Sequence, residues 1–309
     1  MKPELETCKQ VLEKRLDESI AALEPSRIQE AMGYALLGGG KRLRPLLLFA
    51  ALEAYGLDPL KGLDMACGIE MMHTYSLIHD DMPEMDDDRM RRGKPCTHIL
   101  FGTDVGLLAG DALQTLAFEM AAKAENPKDA AALCRLMAQK AGANGMCLGQ
   151  DLDLWSSASD DESLEQLVRI ETLKTGCLFQ LPLSSAALIA DHEEDLDAWD
   201  EIGRELGILF QLQDDLLEMT STEEKMGKSL SDTRNDKATA LTQYGIDQAT
   251  RKIEECYAKI DRTLDALGLQ DQTLRELLMK FAIVLTDPKS GFGLKNKRIQ
   301  KLLEYAFRR

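Results

Sequence analysis

The hydrophobic period of this chain is helical almost from end to end, and that feature excludes most folds. Leu5, Leu12, Leu16, Ile20 and Leu23 are spaced seven, four, four and three residues apart. Trp199, Ile202, Leu206 and Leu209 are spaced three, four and three. Both sets return to one face of a helix that turns every ~3.6 residues. Sustained period-two alternation is absent, so no sheet is expected. Breakers at Pro25, Gly38-Gly39-Gly40, Pro59 and Pro83 punctuate the first part of the chain. Further helices are expected over about 60–81, 104–123, 128–154, 162–190, 194–220, 246–267 and 271–286, with a loop over 84–103. No Ser-, Pro- or Gly-rich linker and no internal repeat divides them. The economical reading is all-α, one domain over 1–286 followed by a basic C-terminal extension over 287–309.

Charge narrows the partners. The 309 residues hold 37 Lys+Arg and 53 Asp+Glu, a net charge of −16, which disfavours non-specific binding to DNA, RNA or anionic lipid. The segment from Lys289 to Arg309 is the exception, with seven Lys/Arg and one Glu. It reads as a frayed tail or a short docked helix rather than a membrane or partner anchor. Seven cysteines lie far apart without a CxxC pair, which fits free thiols in a reducing, cytoplasmic compartment. The first eight residues have no apolar signal-peptide core. The longest apolar run, about 45–52, falls far short of the ~20 residues that span a bilayer.

The chemistry concentrates in the stretch from His73 to Lys94, which reads HTYSLIHDDMPEMDDDRMRRGK. Six acids and four bases stand between Asp80 and Lys94. Clustered carboxylates repel one another, and oxygen ligands without Cys suit Mg²⁺ or Mn²⁺. Arg91 and Arg92 suit bidentate phosphate contacts. The same residues also read as a solvated charged loop capping a helix. An EF-hand loop is excluded, because the required glycine is Arg91.

A second acidic site follows 134 residues after Asp80, in FQLQDDLLE from Phe210 to Glu218. Gln211, Asp214 and Glu218 share one helix face, and the flanking leucines leave little room for a wholly polar outer surface. GGGKRLRP, from Gly38 to Pro45, opens an apolar helix with three bases, an anion cradle by chemistry though not a P-loop. None of the four histidines has the spacing of a zinc hydrolase; His73 lies near the Asp80 face, and His79 reads as a hydrogen-bonded helix residue.

These motifs, with LAGDALQTLAF, KTG, MGKS and NDKAT, resemble the trans-isoprenyl diphosphate synthases, above all the bacterial farnesyl diphosphate synthases, over about residues 5 to 286. The resemblance implies an isoprenoid-synthase-type helical bundle around a deep central cavity. It implies Mg²⁺, or Mn²⁺, held by Asp80, Asp81, Asp86 and Asp214, with Asp80, Asp86, Asp214, Lys174 and Lys228 catalytic. Lys174, Thr175, Gln211, Lys228, Lys237 and Arg91 would bind the allylic diphosphate. Lys41, Arg44, His73 and Arg92 would bind isopentenyl diphosphate, with Arg42 left out. Tyr75 and Ser76 would set product length, a bulky Tyr75 stopping growth at C15. Glu218 stands where the family usually has Asp, so direct and water-mediated metal contact both stay open. A homodimer is the family expectation.

The implied reaction condenses isopentenyl diphosphate with dimethylallyl and then geranyl diphosphate to give farnesyl diphosphate by ionisation, condensation and elimination. Ionisation leaves a carbocation and a pyrophosphate, which needs fixed positive charge at one end and a dry apolar chamber below. The rival readings are a geranylgeranyl diphosphate synthase, a non-catalytic prenyl synthase subunit, and an acidic metal-binding protein without chemistry.

Overall fold

The computed structural model describes residues 3–124, 126–156, 164–218, 240–269 and 272–283. The helices are α1 (Pro3–Ala21), α2 (Arg27–Leu36), α3 (Leu43–Ala54), α4 (Leu63–Asp80), α5 (Thr97–Phe101), α6 (Thr103–Ala121), α7 (Pro127–Ala141), α8 (Met146–Ser156), α9 (Leu164–Glu171), α10 (Cys177–Ile189), α11 (Leu196–Glu218), α12 (Ala240–Ala266) and α13 (Gln272–Ile283). Local chemistry starts several of them. Ser26 accepts a hydrogen bond from the Gln29 amide at the start of α2, and Asn126 caps α7 with Pro127 in its first turn.

The periodic stripes pack as their spacing requires. Leu5, Leu12, Leu16 and Ile20 are buried, as are Trp199, Ile202, Leu206 and Leu209. One continuous apolar core runs from Leu5 to Leu278. Its axis is α4, whose Met65, Ala66, Cys67, Ile69, Met71 and Met72 are buried on every side. α4 lies close against α6 because Gly68 has no side chain; a Cβ there would stand 2.8 Å from the Ala117 carbonyl oxygen. Around this pair, α10 packs on α3, α7 and α11, and α11 on α12. No helix among the described residues is long and apolar enough to cross a membrane.

The departures from expectation have local causes. The helix expected over 128–154 is two, α7 and α8, broken at Gly142 to Gly145. A Cβ at Gly145 would stand 2.1 Å from the Lys140 carbonyl oxygen, a chain reversal that a side chain would block. The helix expected over 162–190 is interrupted by a π turn at Thr172–Gly176. The expected loop over 84–103 holds α5 and an antiparallel hairpin, β1 (Met90–Arg91) and β2 (Lys94–Pro95). Its turn residues Arg92 and Gly93 have φ of 54° and 73°, the all-positive pattern of a type I′ hairpin. Two residues per strand are too few to show an alternation. The basic segment 287–309 lies outside the described residues.

Candidate active site

Asp80 is the last residue of α4, and the chain folds back directly after it. The Asp86 amide donates to the Asp80 carbonyl at 2.9 Å, and the Asp87 amide to Met82 at 3.0 Å. This short reversal, with Asp87 at a φ of 50°, brings Asp86 back beside Asp80. Burial pushes the Asp80 carboxyl up to about 6; Asp86 and Asp81 add to the rise, while Lys174 and Arg91 oppose it. The charged form of Asp80 is therefore one that a cation would relieve.

Lys174 answers part of that need from the π turn. Its Nζ sits 2.6 Å from Asp153 Oδ2 on α8. Burial alone would lower the Lys174 ammonium, but Asp153, then Asp80 and Asp86, raise it above its ordinary value. α8 reaches the turn only because residue 149 is glycine, where a Cβ would stand 2.2 Å from the Lys174 amide nitrogen. π turns inside helices are frequent at functional sites, and this one presents Lys174 and Thr175 together.

Asp81, next in the chain, is engaged by an arginine. Its Oδ1 accepts from Arg91 Nε and Nη2, both at 2.6 Å, and the residue is buried. Asp88 adds a 3.7 Å contact to the same guanidinium. An aspartate held by an arginine in this way anchors Arg91 through Oδ1.

A second group of cations gathers one to two turns up α4. Arg44 Nη1 lies 3.3 Å from His73 Nε2, and its guanidinium stacks 4.5 Å over the Phe179 ring. Arg92 donates to the Gly39 carbonyl and lies flat against Gly40, where a Cβ would stand 3.2 Å from its Cζ. Burial lowers Arg44 to about 10, with Arg92 adding to the fall and Glu70 opposing it. Burial, then Arg44, Arg92, Arg91 and Arg42, hold His73 well below the usual imidazole range, so it is neutral at pH 7. Buried Arg44 and exposed Arg92 beside a neutral imidazole suit an anion of more than one charge. Lys41 stands exposed at its rim. Arg42 turns inward, away from this group, to Glu13 and Glu70.

The second acidic motif lies on α11, which packs along the π turn. Gly207 meets Gly176 there, with a Cβ only 2.5 Å from the Gly176 Cα. Gln211 and Asp214 follow Gly207 by four and seven residues, so helical register puts them on the stripe that starts at that contact. Lys228 and Lys237 fall outside the described residues.

Tyr75, one turn before His79 on α4, is buried, with its hydroxyl 3.7 Å from Cys147 Sγ and a hydrogen bond with Gln114. Ser76 spends its hydroxyl on the His73 carbonyl at 2.9 Å. His79 Nε2 lies 3.0 Å from the Leu107 carbonyl oxygen, a structural contact. Asp153 is the residue that sequence reasoning missed; a lone acid in a helical stretch gives no signal until the fold sets it against Lys174.

Among the described residues no group of three or more His, Cys, Asp or Glu is gathered closely enough to hold a metal ion. Mg²⁺ does not need one, since it binds through one or two carboxylates and fills its shell with water and phosphate oxygens. Asp80 and Asp86, brought side by side by the reversal after α4, fit that demand.

The sequence model of the polyprenyl synthetase family matches residues 25–268. The farnesyl diphosphate synthase of Geobacillus stearothermophilus is 43% identical over 253 residues, 79% of this chain and 84% of that protein. The geranylgeranyl diphosphate synthase of Cyanophora paradoxa is 40% identical over 251 residues, 80% of this chain and 84% of that protein. The structure of a geranyltransferase from Helicobacter pylori complexed with magnesium and isoprenyl diphosphate superposes with a TM-score of 0.78 at 28% identity, covering 93% of this chain and 98% of that one.

Proposed function

The chain belongs to the polyprenyl synthetase family, and on that premise we propose how its residues divide the work of a prenyltransferase. The reaction condenses isopentenyl diphosphate with an allylic diphosphate, dimethylallyl and then geranyl, to give farnesyl diphosphate. Asp80, Asp81, Asp86 and Asp214 are the candidate holders of Mg²⁺, with Mn²⁺ as a substitute. When bound, that ion offsets the negative charge of the departing diphosphate. Lys174, with Thr175, Gln211, Lys228 and Lys237, would bind the same diphosphate, and Arg91 is presented to it on the Asp81 anchor. Lys41, Arg44, His73 and Arg92 would hold isopentenyl diphosphate. The observation that carries this division is spatial: Lys174 faces Asp80 and Asp86, while Arg44, His73 and Arg92 gather apart from them.

No side-chain nucleophile enters the reading. The positive groups take up charge as the allylic C–O bond breaks, and the released pyrophosphate is the candidate acceptor of the proton lost after condensation. Tyr75 is the candidate floor of the chamber. Incubating the protein with Mg²⁺ and the two five-carbon diphosphates is expected to give a C15 product, and Tyr75→Ala a longer one, read by chromatography. Absence of any condensation would sink the function; an unchanged C15 product from Tyr75→Ala would sink the floor.

A homodimer fits the exposed apolar side chains of Ile99, Leu100, Leu107 and Leu108 on α5 and α6, the surface a second copy would cover. Light scattering should then read twice 34.4 kDa; the monomer mass at micromolar concentration would overturn it. Free thiols at all seven cysteines fit a cytoplasmic setting.

A further inference from the structure

Arg42 occupies a costly position. It precedes α3 with a φ of 52°, in the left-handed region that residues other than glycine seldom adopt. Its side chain is fully buried. Three acceptors surround it: Glu13 on α1 takes Nε at 2.8 Å and Nη2 at 3.0 Å, Glu70 on α4 takes Nη1 at 2.8 Å, and the Leu36 carbonyl takes Nη2 at 2.7 Å. A buried ion group of this kind gains little stability over an apolar replacement, so its use lies in fixing a geometry.

The geometry it fixes is the turn from Gly38 to Arg44. On that turn Lys41 is the neighbour before Arg42, Arg44 lies two residues after it, and the Gly39 carbonyl with the face of Gly40 seats Arg92. Glu70 stands three residues before His73 on the same face of α4. We propose that Glu13 and Glu70, acting through Arg42, are positioning residues for the isopentenyl diphosphate cradle. Clamping Arg42 inward holds the left-handed turn, and the turn sets Lys41, Arg44 and the seat of Arg92 around one anion. This rests on the assignment of that cradle above. The allylic side, built on Asp80, Asp86 and Lys174, shares no residue with the clamp.

The test is a separation of the two substrates. Glu70→Gln keeps the shape and one acceptor but removes the charge. It should raise KM for isopentenyl diphosphate about tenfold, the cost of weakening a charged hydrogen bond, while KM for geranyl diphosphate stays within about twofold. Glu13→Gln, on the exposed side of the clamp, should move the same constant in the same direction by about threefold, and supplies the answer if Glu70→Gln does not fold. Because Glu70 acts through Arg42, the double variant Arg42→Gln, Glu70→Gln should be no worse than Arg42→Gln alone. Equal shifts in both KM values, no shift in folded variants, or additive losses in the double variant would each overturn the proposal. Failure of the wild type to condense the two substrates would instead remove the functional reading beneath it.

Discussion

Asp80→Asn is expected to lose activity and gain stability together. Turnover should fall by roughly 10³-fold, the scale of removing a group that stabilises developing charge. The same variant should be more stable than the wild type in EDTA at pH 7.5, by roughly 3 kcal/mol. Burial raises the folded carboxyl to about 6, with Asp86 adding to the effect, whereas an unfolded Asp titrates near ~3.9. A raised acid binds protons more tightly in the folded state. Folding therefore carries no penalty from Asp80 below about pH 4, a growing one between about 4 and 6, and the full one above. Asn is neutral at every pH and escapes it. Thermal melts at pH 5 and 7.5, with and without Mg²⁺ and pyrophosphate, read the effect. The stability gain should shrink at pH 5, and the ligands should stabilise the wild type more than the variant. A variant less stable than the wild type at pH 7.5 would show that the fold already neutralises this charge.

Asp214→Ala is the second large effect. Its place on the Gly207–Gln211 stripe of α11, along the turn that carries Lys174, makes it a further proposed oxygen ligand. Turnover should fall by roughly 10²- to 10³-fold at fixed Mg²⁺. Part of the loss should return at higher Mg²⁺, since fewer ligands weaken binding without destroying the site. Helicity should be unchanged by circular dichroism. Wild-type rates in both the Asp80 and Asp214 variants would remove the metal assignment altogether.

What the sequence showed and what it hid follow from the reach of each interaction. The stripes through Leu12, Leu16 and Ile20, and through Trp199 and Leu206, were legible because helical burial repeats within a few residues. The acids from Asp80 to Asp88 were legible as a cluster for the same reason. Their division of labour was not: Asp80 and Asp81 are adjacent, yet one faces Lys174 and the other is bound by Arg91 across a hairpin. Arg42 and Arg44 are two residues apart in one basic run, and only the acids of α1 and α4 decide that the first turns inward. The π turn escaped notice because its one-residue shift in hydrogen bonding has no signature in residue type. Asp153 escaped because its partner lies 21 residues away.

The contact at Gly149 sets a limit on how the chamber can be reshaped. A methyl group there would act as a wedge between α8 and the π turn, 2.2 Å from the Lys174 amide nitrogen. The two segments would have to separate by more than an ångström to reach ordinary van der Waals distance, and the 2.6 Å bond from Asp153 to Lys174 would open with them. Residue 149 is therefore best kept bare, as the hinge pin on which the Lys174 turn rests.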